Sequence, residues 1–160
     1  MQIGKRLDRL DTALLTCLQR DNLQTAEQLA EQVGRSPSAV ARRVRRLRET
    51  KAIAADVAVI SEEAAGHPLS AMVHVQLERH AIQASDLLRR RLHASDNVQL
   101  LFEISGAFDL LLLVVAQDMD AYNLFVDQVL ADDPAVRRLE TSFVKRRAKA
   151  TLAVPLWTGE

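Results

Sequence analysis

Between Thr25 and Pro37 the chain stops one helix and starts another, and this punctuation limits its front to short helices meeting through a tight turn. Thr25 followed by Gln28 has the capping-box spacing, in which each side chain satisfies the other residue's free backbone N–H. Gly34 stands where a left-handed, helix-ending residue is needed. Ser36-Pro37 then supplies an N-cap followed by proline at the first helical position, where its missing N–H is harmless. Upstream, Leu7, Leu10, Leu14, Leu15 and Leu18 recur at spacings of three and four, predicting an amphipathic helix over 8–20 capped by Asp8 or Asp11. The helix after Thr25 turns Ala26, Leu29, Ala30 and Val33 inward.

A third helix, Pro37 to about Thr50, places Val40, Val44 and Leu47 on one buried stripe. Its opposite side carries Ser38, Arg42, Arg45 and Glu49, with Ala39 and Arg46 beside them. Small residues at the front let backbone approach base edges, and arginines fork onto guanine or pair with phosphate. A solvated basic face is the bland reading of Arg42 to Arg48. The preceding cap, glycine turn and serine-proline start instead favour a helix-turn-helix contacting double-stranded DNA through Ser36, Ser38, Ala39, Arg42, Arg43, Arg45 and Arg46. Arg43 flanks the buried stripe, so a structural salt bridge to an acid of the first two helices is an equal reading for it. Charge placement agrees: residues 1–51 hold 11 Lys or Arg against 6 Asp or Glu, and residues 52–160 hold 10 against 15. A front of +5 and a back of −5 suit a basic reader followed by an acidic regulatory module.

Beyond the third helix, 53–61 alternates loosely around Val57, Val59 and Ile60, predicting a short strand that serves as wing and linker. Gly66-His67-Pro68 breaks the chain, giving units 1–52, 53–68 and 69–160. From Ala71 the period changes to two, with Val73, Val75 and Leu77 alternating with His74, Gln76 and Glu78 in a strand. A helix over 84–94 turns Leu87, Leu88 and Leu92 inward, and strands 98–105 and 110–116 form a hairpin around Gly106 to Asp109. Asp118 caps a further helix with the stripe Met119, Tyr122, Phe125, Val126 and Val129; Asp132-Asp133-Pro134 stops it, and 136–144 is the last strand. The expected class is therefore α+β: a winged helix-turn-helix, then a ferredoxin-like βαββαβ domain with helices on one face of an antiparallel sheet. Leu110 to Val115 is apolar on both faces although the helices cover only one, which predicts sheet-to-sheet packing of two subunits. The tail, Thr151 to Trp157, is expected to add an edge strand.

Other classes find little support. Cys17 is the one cysteine, too few for an intramolecular disulfide, and reads as a small core residue. The first residues lack a signal-peptide pattern and the longest apolar run falls short of a bilayer span, so the expected setting is cytoplasmic, without a membrane partner. Phosphate loops, nucleophile elbows and Cys-x-x-Cys pairs are absent, so neither an enzyme nor a cofactor site is expected. His74, Glu78 and His80 share strand parity, but twist spreads them and a fourth ligand is lacking; no metal is expected.

Taken together, Leu7-Asp8 with Asp11, Ala30 through Val33-Gly34, Ser36-Pro37-Ser38, the Arg42–Leu47 run, Leu77-Glu78-Arg79-His80, Gly106 with Asp109, and Thr141-Ser142-Phe143-Val144 resemble the Lrp/AsnC family of feast/famine regulators, from about Leu7 to Trp157. That resemblance implies a transcriptional regulator whose C-terminal (RAM-type) domain dimerises, assembles into tetramers or octamers, and binds small effectors, frequently amino acids, between subunits. It places the effector at Gly106, Ala107, Phe108 and Asp109, with Ser105 and Ser142 as further candidates. Ala107 replaces the first acid of the family's Gly-Asp-Tyr/Phe-Asp loop, and Lys51-Ala52-Ile53 stands where the family has a glycine. Sirohaem decarboxylase subunits also resemble this family, but Gln99 to Glu103 lacks their His-Asn-Tyr-x-Arg motif. An interaction-only module is the remaining alternative; it gives no reason for an outward arginine face.

Overall fold

The computed structural model describes residues 7–61, 63–66 and 68–156. His67 of the expected chain break and Trp157 of the expected tail strand lie outside these. Two compact units are formed, one from residues 1–59 together with 149–160, the other from 60–148.

In the first unit, helix α1 (Arg9–Leu18) is capped by Asp8, whose carboxylate accepts from the Asp11 N–H at 2.8 Å while Asp11 accepts from the Asp8 N–H at 3.2 Å. Both acids that the sequence offered as alternatives thus belong to one cap. Helix α2 (Ala26–Val33) begins with the Thr25–Gln28 box and ends at Gly34 with φ 63° and ψ 45°. Helix α3 (Pro37–Glu49) starts from the Ser36 cap. Leu14, Leu15, Leu18, Leu29, Ala30, Val40, Val44 and Leu47 form the buried core between the three helices, with Leu7, Leu10 and Val33 half-buried at its rim. Full burial of a side chain such as Leu47 contributes about 1.5–3 kcal/mol. Lys51, where the family glycine is missing, takes φ 59° itself, a conformation that costs a side-chain-bearing residue about 1–2 kcal/mol. The turn closes nonetheless, with Ile53 N–H donating to Leu47 C=O at 3.1 Å.

The expected wing strand does not form. Residues 54–61 have no regular structure, and Val57, Val59 and Ile60 are exposed. A strand exists only by hydrogen bonding to a neighbour, and among the described residues nothing pairs with this segment. The segment is instead anchored at Asp56, which accepts from Arg48 at 2.9 Å and from Asn22 at 2.8 Å; the Arg48 hydrogen bond, then that from Asn22, lowers the Asp56 pKa. Nor does the tail join the sheet. The Gln19 amide donates to Val154 C=O at 3.1 Å and accepts from Val154 N–H at 2.7 Å, and Leu156 packs against the helical core. That amide satisfies the two backbone groups a sheet edge would have taken.

The second unit is an antiparallel sheet of β1 (Leu69–Leu77), β2 (Val98–Glu103), β3 (Leu110–Ala116) and β4 (Val136–Phe143) in the order β2-β3-β1-β4. With α4 (Ile82–Ala94) and α5 (Met119–Val126) it gives the βαββαβ sequence of a ferredoxin-like domain. Ala71, Val73, Val75, Leu110, Leu112 and Val114 point into the core beneath the helices. In α4 the inward row is Ser85, Leu88 and Leu92; Leu87, expected inside, is 57% exposed because it lies off that i, i+3, i+7 row. In α5, Tyr122 and Phe125 are buried but Met119 is 45% exposed, the helix there having only begun. A π-helical turn, Asp127–Ala131, follows and carries Leu130 into the core. The other face presents Met72, Leu111, Leu113 and Val115 half-buried, with Leu100 40% and Phe102 49% exposed.

Candidate DNA interface and effector cleft

The structure divides the arginines of α3 into two groups. Arg43 donates to Asp8 at 2.6 Å and to Asp11 at 3.2 Å, while Arg46 lies across both oxygens of Asp11 at 2.7 Å. Asp11 is 2% exposed, so its charge sits out of water, held by two guanidinium groups of the third helix and the Asp8 N–H. The Asp11 backbone N–H, and next the Arg43 bridge, hold Asp8 below its ordinary carboxylate range; the hydrogen bond to Asp8 raises Arg43 further still. Arg48 is taken up by Asp56. Arg42 and Arg45 are exposed and have no partner among the described residues.

Arg46, expected to point outward, is therefore turned back onto α1. The salt bridge expected as one reading of Arg43 is present. What remains outward is a strip of Ser38, Arg42 and Arg45 on the far side from Val40, Val44 and Leu47. Ser36 Oγ is engaged in capping, accepting from Ala39 N–H at 3.4 Å, and Ala39 is half-buried at the helix start. Asp11 is what sequence reasoning missed as the partner of Arg46; its signal is two acids opening the first helix beside a third helix with arginines three apart.

In the second unit the hairpin loop is fastened to β1. Asp109 N–H donates to Val75 C=O at 2.9 Å, and the Asp109 carboxylate accepts from Leu77 N–H at 2.8 Å, beside the bulge at Gln76 and Leu77. Gly106 adopts φ 153°, which side-chain-bearing residues rarely take, so the tip of the loop suits glycine. Gly106, Ala107 and Asp109 line an open cleft of about 580 Å³ together with Glu78, Arg79, Ser85, Asp86, Arg89, Glu103 and Arg137. Arg89 is bridged to Glu103 and Asp86, whereas Arg79 and Arg137 have no ion-pair partner among the described residues. The cleft thus offers free cations beside carboxylates, a lining that matches a small zwitterion.

The other expected effector residues are not brought to this cleft. Phe108 folds onto the outer sheet face, 5.3 Å from the His74 ring and 5.8 Å beneath the Arg138 guanidinium. Ser142 sits opposite Met72 near the end of the edge strand β4, outside the lining, and Ser105 is exposed outside the lining too. Glu78, Arg79, Ser85 and Arg137 were missed because they come from the end of β1, from α4 and from β4, which only the fold assembles.

Comparison with known proteins gives a concordant picture. Residues 7–48 match the AsnC-type helix-turn-helix domain and residues 70–154 the Lrp/AsnC ligand binding domain. An HTH-type transcriptional regulator of Sinorhizobium fredii is 37% identical over 94% of this chain and 89% of its own. The Bkd operon transcriptional regulator of Pseudomonas aeruginosa is 33% identical over 94% and 98%. A transcriptional regulator of Neisseria meningitidis, solved as a complex with L-Met, superposes with a TM-score of 0.86 at 28% identity over 93% of this chain and 96% of its own.

Proposed function

Because the chain belongs to the Lrp/AsnC family, we propose that it reads DNA through the strip of α3 bearing Ser38, Arg42 and Arg45, with Ser36 and Ala39 forming the close-approach start of that helix. It is a DNA-binding transcriptional regulator that senses a small effector. The observation that carries the assignment of residues is the contrast on one helix: Arg43, Arg46 and Arg48 are held by acids, while Arg42 and Arg45 are exposed and unpaired among the described residues. Guanidinium groups already neutralised by a buried carboxylate have little left to give a phosphate. Arg43 and Arg46 accordingly hold the reading helix in place. The division of labour follows the two units, with residues 1–52 on DNA and 69–148 on effector and assembly.

The effector that fits the cleft is an amino acid or a related metabolite. Its carboxylate pairs with Arg79 or Arg137 and its ammonium with Glu78, which makes good the acid absent at Ala107. The L-Met complex of the Neisseria regulator supports that class. Two copies pack through the face bearing Met72, Leu100, Phe102, Leu111, Leu113 and Val115, an apolar surface that the helices leave uncovered. A dimer built this way presents two reading helices to two half-sites, and further assembly gives tetramers or octamers.

The test is titration of the protein onto its own upstream DNA and onto a scrambled duplex by fluorescence anisotropy. Upstream DNA is expected to bind on the order of 10³-fold more tightly. Equal, weak binding to both, followed by failure to select any sequence from a genomic library, refutes the reading.

A further inference from the structure

Between Glu140 and Glu160 the chain has no acidic residue, but it carries Lys145, Arg146, Arg147 and Lys149. This is the reverse of the acidic balance found beyond residue 52. In the structure Lys145, Arg146 and Arg147 line an open cleft of about 270 Å³ with Pro68, Leu69 and Ser70. The cleft lies where β4 ends against the start of β1, a junction closed by Val144 N–H donating to Ser70 C=O at 2.9 Å. Its floor is thus rigid backbone of the sheet. Lys145 and Arg146 are exposed and without a partner among the described residues. Elsewhere in the same unit Arg89, Arg91 and Arg138 are each held by an acid.

A cleft lined by three cations, Lys145 and Arg146 among them without a partner among the described residues, and by no carboxylate attracts an anion of extended charge. It also lies at the end of the sheet where the chain arrives through Pro68 and leaves through Val144. We propose that Lys145 and Arg146 form a second DNA contact, gripping backbone phosphates beyond the stretch read by α3. This rests on the DNA-binding reading and adds a surface on the effector domain to it. The contact is blind to sequence, because ammonium and guanidinium groups meet phosphate oxygens alike on every step. Its signature is therefore a change in salt dependence and in the DNA length needed, with base preference unchanged.

The experiment uses the full-length protein and a site selected from a random library, offered in two forms: a core duplex of about 20 base pairs, two helical turns, and the same core centred in about 60 base pairs. Affinity is measured from low to moderate salt for wild type, for the Lys145→Ala, Arg146→Ala double variant, and for Arg146→Lys. Each lost phosphate contact reduces the slope of log affinity against log salt by about 0.9. The double variant is expected to lose about 1.8 from the slope for each subunit on the long duplex and nothing on the core, with Arg146→Lys retaining the wild-type slope. Arg90→Ala, which removes one positive charge from α4, should leave both slopes unchanged. A double variant that melts like wild type but has the wild-type slope on the long duplex overturns the proposal, as does an equal loss on both duplexes. Core binding by wild type is the control that separates this failure from failure of the DNA-binding reading itself.

Discussion

Replacing Asp11 by asparagine isolates what the acid beneath the reading helix does. The change keeps side-chain volume and one carbonyl acceptor but removes the charge on which Arg46 closes with two 2.7 Å contacts and Arg43 with one at 3.2 Å. Removing one member of a buried pair costs about 3–5 kcal/mol when the other is stranded out of water. Here the arginine side chains are 26% and 37% exposed, so both rehydrate, and the smaller cost of lost charged hydrogen bonds applies, about 2–3 kcal/mol. In a domain of this size each kcal/mol moves the melting temperature by about 4–8 °C, so the helical unit should melt roughly 10 °C or more below wild type. Thermal melting with hydrogen exchange resolved to α1 and α3 measures this, and exchange in the β strands serves as the internal control. Arg46→Ala should produce a comparable fall, whereas Arg45→Ala, on the open side, should stay within about 0.5 kcal/mol. An Asp11→Asn protein with wild-type protection in α1 and α3, or an Arg45→Ala protein as damaged as Arg46→Ala, refutes the reasoning.

Further outcomes follow from the same geometry. Asp109→Ala leaves the Leu77 N–H without its acceptor and should destabilise the effector domain by about 1–2 kcal/mol in urea as well as weaken the ligand-induced melting shift, while Asp109→Asn keeps most of the stability. Leu113→Glu places a charge on the uncovered sheet face and should convert the assembly to monomer in sedimentation while circular dichroism stays native; an unchanged assembly excludes that face as the interface. Asp8 titrates below its ordinary 3.8, so its contribution to stability is complete above that pH and disappears as pH falls through the lowered value. Asp8→Asn should therefore flatten acid unfolding below about pH 4 without altering the melting temperature's pH dependence near neutrality.

Much of the fold was legible because its signals are local. Caps at Asp8, Thr25, Ser36 and Asp118, the left-handed Gly34 and the period-two strands each depend on a few neighbouring residues, and the structure has them where the sequence places them. The departures come from interactions that a single segment does not encode. Residues 54–61 have the alternation of a strand but no neighbour to pair with, and the tail finds the Gln19 amide instead of a sheet edge. Leu87 is apolar yet off the row set by Leu88 and Leu92, so its 57% exposure follows from helical geometry that a count of leucines ignores. The extra residue of the π turn brings Leu130 inward where a regular helix pattern ends. For the site, periodicity correctly set Arg42 and Arg45 outside, but Arg46 depends on where the start of α1 crosses α3. The candidate effector cleft was legible only at Gly106, Ala107 and Asp109, since Arg79 and Arg137 line it from other elements.

The most direct test compares the salt dependence of binding to a selected duplex for wild type, Arg42→Ala, Arg45→Ala and Arg46→Ala, each checked for intact assembly by sedimentation. The account predicts that Arg42→Ala and Arg45→Ala each weaken binding and, where the contact is to phosphate, reduce the salt slope by about 0.9 per bound subunit. Arg46→Ala should weaken binding only in proportion to its unfolding and keep the wild-type slope once measured at a temperature where the helices are formed. Wild-type affinity and slope in both Arg42→Ala and Arg45→Ala, with the slope lost in Arg46→Ala alone, would contradict the assignment of the reading face.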